Sequence, residues 1–134
     1  GAPIRSVNAA AAQVTHGVCD DVTVTLRFAD GSLATLVYTA KGDSSFSKEL
    51  FEAYAGGTVI TIDDFRKLTI VADGHATTET ARAQDKGHAA QLDAFVSAVT
   101  AGHGAPVPEA EAIESTLATF AVLESLRSGE PVTL

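Results

Sequence analysis

The chain has 134 residues, 46% of them hydrophobic, and its 9 basic and 17 acidic side chains give a formal net charge of −8. This length favours a single domain, and the balance of apolar and charged residues argues against a disordered chain. The excess of acidic side chains makes binding to nucleic acid or to anionic lipid unfavourable.

Cys19 is the only cysteine, which excludes an intrachain disulfide and a cysteine-rich zinc site. A small buried thiol is the favoured interpretation of Cys19, ahead of a nucleophile. No signal peptide is recognisable, and no apolar stretch approaches the ~20 residues that cross a bilayer. These features predict a cytoplasmic protein. Because the chain begins Gly-Ala-Pro rather than with Met, we also expect a piece of something longer.

The first 80 residues predict β-strands, in chain order. After an extended segment at 3–13, alternating apolar and polar residues at 22–28 and a Thr- and Val-rich stretch at 33–40 predict an antiparallel hairpin, with Asp30-Gly31 in its turn. Further strands are predicted at 48–55, 58–62, 65–72 and 75–80. The glycine-containing turns between them indicate an antiparallel meander.

From Gly87 onward the apolar period becomes helical. Apolar residues recur at helical spacing from Leu92 to Val99, and Gly102 ends this first helix. A second helix is predicted from Glu109 to Arg127, with acidic residues near its start and Gly129 as its stop. A short extended tail follows. Strands followed by two helices predict an α+β fold, namely a mostly antiparallel open sheet with helices packed on one face.

The other face of the predicted sheet has mixed polarity. Thr23, Thr25 and Arg27 share one side of the first hairpin strand. The corresponding side of its partner carries Thr35, Val37 and Thr39. Such a face can stand in water or meet a second copy of itself, and the pattern leaves both interpretations open.

Recognised catalytic motifs are missing from the sequence, including phosphate-binding glycine loops, HExxH, CxxC and the GxSxG elbow. The four histidines are His16, His75, His88 and His103, and none is paired at metal-ligand spacing, so no metal site is expected. His88 precedes the apolar stripe of the first helix. It is either a structural histidine or a polar group that points into a cleft at the sheet edge.

Several acidic residues allow a functional and a plainer interpretation. Asp63 and Asp64 could form a carboxylate pair, but a solvated strand end is favoured. Lys41 and Asp43 flank Gly42 in a polar connection of the kind that often carries function. Glu124 falls near the apolar stripe of the second helix, where a carboxylate that reaches solvent is the simpler account.

The order of these features resembles a known family. The segments that carry the likeness are Val24 to Gly31, Tyr54 to Val59, Lys86-Gly87-His88, Leu92 to Val99, Glu124-Ser125 and Gly129 to Val132. Together they are similar to the C-terminal domain of the Gfo/Idh/MocA family of NAD(P)-dependent oxidoreductases, which includes relatives of glucose–fructose oxidoreductase and inositol dehydrogenase. The likeness covers nearly the whole chain.

The resemblance implies that residues 1–134 form one C-terminal substrate-binding and oligomerisation domain, with the N-terminal Rossmann domain absent from this chain. It implies NAD(P) in the longer parent and no cofactor on this piece. The family's Glu-Lys-Pro and Asp-x-x-x-His motifs have no counterpart here, so no catalytic residue is carried over and the piece alone is expected to be inactive.

The resemblance also implies a substrate pocket beside the sheet and an oligomer contact on its open face. The pocket candidates are the polar groups Lys41, Lys86 and His88, which could bind a sugar, a polyol or a related hydroxylated substrate. The oligomer-face candidates are Thr23, Thr25 and Arg27, in a homodimer. The alternative is a free-standing binding module for a small ligand. A self-contained hydrolase lacks a supporting motif.

Overall fold

The computed structural model describes residues 1–12 and 20–134. The predictions for His16 and Cys19 lie outside the described residues. The strands are β1 (Ile4–Ala11), β2 (Asp21–Phe28), β3 (Leu33–Thr39), β4 (Leu50–Ala55), β5 (Thr58–Asp63), β6 (Lys67–Ala72), β7 (His75–Thr80) and β8 (Val132–Thr133). The helices are α1 (His88–Ala101) and α2 (Glu109–Ser128). No helix in the described part of the chain is long and apolar enough to cross a membrane.

The chain divides into two compact units. Unit 1 contains Gly1–Gly42 together with Ala101–Leu134, and unit 2 contains Asp43–Thr100. Each unit has its own four-stranded antiparallel sheet. The α+β class with antiparallel strands is therefore confirmed, and its strands are shared between two sheets. The assignment of residues 1–134 to one domain stays a prediction.

Unit 1 is built on a sheet with the strand order β3-β2-β1-β8, and α2 packs against β1 and β8. Alternation along the strands directs one set of side chains toward the helix. The core contains only small and β-branched residues, namely Val7, Ala9, Val24, Ala118 and Ala121. Because two alanines face the sheet, the helix backbone can approach the strands closely.

Polar contacts fix α2 along β1. The Oγ of Ser125, which is fully buried, accepts a hydrogen bond from the backbone N–H of Ala9 at 2.9 Å and donates one to the carbonyl of Glu130 at 2.8 Å. At the other end, the Ile4 N–H donates to Glu114 Oε1 at 2.6 Å. Gly129 ends α2 in the left-handed conformation, as the sequence predicts. The predicted tail becomes β8, which pairs with β1.

Unit 2 is a meander with the strand order β4-β5-β6-β7, and this connectivity confirms the sequence prediction. Two of its turns use residue pairs suited to positive φ, Gly56-Gly57 and Asp73-Gly74. The predicted strand at 65–72 begins two residues later, at Lys67, because Phe65 has a φ of 52° and belongs to the turn.

The predicted first helix is confirmed as α1, but its apolar stripe is exposed. None of its residues is buried, and Leu92, Phe95, Val96 and Val99 are 55–65% exposed. The sequence predicts that both helices pack on one sheet face. Of the two, α2 packs against a sheet in this way, and the apolar residues of α1 remain exposed.

Candidate functional site

A cluster of polar and aromatic side chains surrounds the β5–β6 turn in unit 2. We call Glu49, Asp64, Phe65, Gln84 and Lys86 the turn cluster. Lys86 Nζ donates to Glu49 Oε1 at 2.5 Å and lies 5.9 Å from the centroid of the Phe65 ring. Gln84 Nε2 donates to Asp64 Oδ1 at 2.9 Å. The predicted pocket candidate Lys86 is therefore held in place by Glu49 and by the ring of Phe65.

Backbone hydrogen bonds hold the segment that follows β7 against this turn. The Ala81 N–H donates to the Arg66 carbonyl at 2.8 Å, and the Asp85 N–H donates to the Phe65 carbonyl at 3.4 Å. Asp85 Oδ1 then accepts from the Gly87 N–H at 2.8 Å, just before α1 begins. These bonds fix the position of Lys86 relative to the sheet.

One oxygen of the turn cluster lacks a partner. Glu49 Oε2 is shielded from solvent and forms no hydrogen bond with any described residue, while its other oxygen binds Lys86. A buried acceptor without a donor is unfavourable. The ion pair with Lys86 therefore leaves one oxygen of the Glu49 carboxylate without a donor among the described residues.

A groove with a volume of about 340 Å³ opens beside the cluster, and we call it the turn groove. Its apolar wall includes Ile62, Leu68 and the side of Phe65. The polar residues that line it are Arg66, Lys67, Glu79, Thr80 and Asp85. Ligand sites combine an apolar wall with a few convergent polar groups in this way.

The three pocket candidates fall in two places. Lys86 and His88 lie at the start of α1 in unit 2, with His88 as the first, exposed residue of the helix. Lys41 belongs to unit 1, where its ammonium forms an ion pair with Asp21. Hydrogen bonds from Lys41 and Thr39 hold the pKa of Asp21 below its ordinary value.

A second groove, of about 310 Å³, lies in unit 1. Asp21 lines it together with alanines of β1 and the side chains of Val37 and Tyr38. Because Lys41 already neutralises Asp21, this groove presents fewer uncommitted charges than the turn groove.

The strand register in unit 1 places the oligomer-face candidates together. Thr23 lies opposite Val37, Thr25 opposite Thr35, and Arg27 opposite Leu33, on the face away from the Val24 core position. Thr23 and Arg27 are exposed and Thr25 is half-buried. The structure therefore gives the mixed face that the sequence predicts, whereas its role stays a prediction.

None of the acidic candidates Asp63, Asp64 and Glu124 forms a catalytic arrangement with described residues. Asp63 ends β5 and is exposed, and Asp64 binds Gln84. Glu124 is partly exposed and pairs with Arg127 at 2.7 Å.

Sequence reasoning missed Glu49, Phe65 and Arg66. Glu49 was assigned to a strand pattern, and Phe65 to the start of a strand. A signal was present for Phe65, because the turn that joins β5 to β6 has no glycine while the other two turns of the meander do. A bulky residue at such a position suggests a role for its side chain.

No protein-family model and no curated protein sequence matches the chain. Solved structures do match it in fold. An aldose-aldose oxidoreductase from Caulobacter crescentus, complexed with glycerol, aligns with a TM-score of 0.80 and 18% identity over 99% of this chain and 42% of its own.

Two further structures agree with that match. An oxidoreductase from Agrobacterium radiobacter, in complex with NAD+, L-tartaric acid and magnesium, aligns with a TM-score of 0.78 and 16% identity over 98% of this chain and 43% of its own. A UDP-N-acetylglucosamine 3-dehydrogenase from Acidithiobacillus ferrooxidans aligns with a TM-score of 0.80 and 15% identity over 95% and 41%. The predicted resemblance is thus confirmed at the level of fold, and the chain spans less than half the length of these enzymes.

Proposed function

We propose that this chain is the C-terminal domain of a longer, cytoplasmic NAD(P)-dependent oxidoreductase of the Gfo/Idh/MocA type that acts on a sugar, a polyol or a related hydroxylated substrate. The observation that carries the proposal is the coverage: nearly all of this chain aligns with 41–43% of three oxidoreductases. The rest of each enzyme leaves room for a further domain, which in the parent of this chain would be the Rossmann domain.

In this proposal, NAD(P) is bound by the Rossmann domain and supplies the hydride chemistry, while this chain binds and orients the substrate. Lys86 is the strongest candidate for substrate contact. Its ammonium is held by Glu49 and by the Phe65 ring, and it retains donor capacity for a ligand hydroxyl or carboxylate. His88, two residues later, offers a second donor or acceptor. Lys41 is the remaining candidate, in the other unit.

The test of this role is steady-state kinetics on the full-length parent with Lys86→Met. We expect a raised KM for the hydroxylated substrate, because the Lys86 ammonium would contact it. The KM for NAD(P)+ should change little, because Lys86 would not contact the cofactor. Lys48→Met is the matched control, since Lys48 lies near the start of β4, outside the turn cluster, and forms no ion pair with described residues. Equal KM values in the wild type and in Lys86→Met would remove Lys86 from the site.

We further propose that the face with Thr23, Thr25 and Arg27 joins two copies of the protein in a homodimer. Thr25→Asp would place a carboxylate in the middle of this face. In a symmetric dimer the same carboxylate of the second copy would lie close to it, so the two charges would repel each other. Light scattering should give the mass of a dimer for the wild type and of a monomer for the variant. Thr77→Asp, at an exposed position on β7, is the control that should remain dimeric. An unchanged mass in Thr25→Asp would exclude this face.

A further inference from the structure

Three hairpin turns connect the strands of unit 2, and one of them differs from the others. All three have positive φ at both central residues, which glycine adopts readily and bulky residues rarely adopt. Gly56-Gly57 and Asp73-Gly74 meet this requirement, whereas the third turn contains Asp64 and Phe65, at φ values of 50° and 52°. An aromatic residue therefore occupies a position where glycine would be less strained.

The Phe65 side chain does not gain enough burial to explain this choice. It remains 41% exposed, forms one wall of the turn groove and carries Lys86 over its ring. Residues held in sparsely populated backbone conformations cluster at active sites, ligand clamps and switch regions. The ring thus provides a rigid apolar surface at the mouth of the groove.

The polar lining of the groove defines the ligand chemistry. The Arg66 guanidinium has five donors, and the one hydrogen bond that it forms with the described residues is to the Arg82 carbonyl, at 3.4 Å. Neither Arg66 nor Lys67 forms an ion pair with a described residue. Of the acidic lining residues, Asp85 already accepts the Gly87 N–H, and Glu79 is free to accept hydrogen bonds. Lys67 pairs with Thr80 and Leu68 pairs with Glu79, so the Lys67 and Glu79 side chains leave opposite faces of the sheet. The Arg66 guanidinium therefore fits an oxyanion, and Glu79 fits a hydroxyl donor on the same molecule.

We propose that the turn groove binds a small hydroxylated oxyanion, with its carboxylate or phosphate on Arg66, a hydroxyl on Glu79 and its carbon skeleton against Phe65. This inference rests on the proposed function in that it assigns the charge class of the substrate, but binding to the groove can be measured without any redox reaction. The volume of about 340 Å³ suits a ligand of single-sugar size.

Isothermal titration calorimetry on the 134-residue chain tests the proposal with three probes. D-gluconate carries a carboxylate, D-glucose 6-phosphate carries a phosphate, and D-glucose is the neutral comparison. We expect at least one anionic probe to bind at least tenfold more tightly than D-glucose. The two anionic probes distinguish the two sources of the charge.

Two variants locate the binding. Arg66→Gln should weaken the binding of the anionic probe by roughly tenfold or more, because hydrogen bonds between charged groups are stronger than those between neutral groups. Arg127→Gln removes the same charge from α2, far along the sequence, and should leave binding unchanged. Equal losses in both variants would reduce the effect to net charge and overturn the proposal. Retained binding in Arg66→Gln, or no binding of either anionic probe, would also overturn it.

Phe65→Gly separates a binding role from a packing role. If the ring serves the ligand, this variant should keep or raise the melting temperature, since glycine relieves the turn, and should weaken the anionic probe several-fold. A fall in melting temperature with unchanged binding would show that Phe65 supports packing, and would overturn its assignment. If these binding tests succeed but the full-length parent has no dehydrogenase activity, the proposed function is wrong and the assignment of the turn groove as a binding site still stands.

Discussion

The two units of the molecule achieve order in different ways. In unit 1 a helix lies on the sheet and buries a core that includes Val7, Val24 and Ala121. In unit 2 no residue is buried, and the sheet depends on its ladders, its turns and the turn cluster. Burial of apolar surface is the dominant stabilising contribution in a small domain. The comparison therefore indicates that unit 1 provides the stability, while the turn groove and the turn cluster belong to the more readily opened unit.

The largest effect should come from a charge placed in the core of unit 1. Val7→Asp puts a carboxylate at a fully buried position with no cation to receive it, so we expect a loss of about 3–5 kcal/mol in the free energy of unfolding. Urea denaturation followed by circular dichroism measures the change. Val71→Asp on β6 is the matched control, because Val71 is 38% exposed and its substitution should cost about 1 kcal/mol or less. Similar losses at both positions would erase the distinction between the units.

A smaller loss should follow from removing the buried hydroxyl that connects α2 to β1. Ser125→Ala leaves the buried Ala9 N–H without an acceptor, which costs about 1–3 kcal/mol. Ser128→Ala is the control on the same helix, since the Ser128 hydroxyl is exposed, and it should change stability by about 0.5 kcal/mol or less. If the two variants unfold at the same urea concentration, the Ser125 contact does not hold the helix.

The smallest effect concerns the surface ion pair of unit 1. The Lys41 and Thr39 hydrogen bonds lower the pKa of Asp21 in the folded state. A carboxyl whose folded pKa is depressed contributes its stability above the unfolded value of about 3.9, and this contribution is lost as the pH falls through the folded value. Lys41→Met should raise the NMR titration midpoint of Asp21. Asp43 is the internal control, because Ser45 lowers its pKa and its midpoint should stay fixed.

Local sequence patterns predicted most of the secondary structure. Alternation, the Gly56-Gly57 and Asp73-Gly74 turns and the glycine at the end of α2 are local signals, and each led to the correct element. The division into two sheets was not predictable, because strand periodicity defines faces and leaves open which strands pair at the edges of a sheet.

The candidate site could be predicted only in part. Lys86 and His88 were singled out because they lie close to the start of an apolar helix. The partners of Lys86, Glu49 and Phe65, are separated from it by 37 and 21 positions along the chain, and only the fold brings the three together. The strain at Phe65 is visible only in the folded backbone, because a phenylalanine beside a β-strand is an ordinary strand residue in the sequence.

Under the proposed function, this chain is one domain of a longer oxidoreductase. Sequencing the coding frame upstream of Gly1 tests that proposal most directly. If the proposal is right, the frame continues into a strand, a G-x-G-x-x-G turn, a Glu-Lys-Pro motif and an Asp-x-x-x-His pair, which together would supply the NAD(P) site and the catalytic groups. A start codon within a few codons of Gly1 would contradict the account, and the chain would then be a free-standing ligand-binding module.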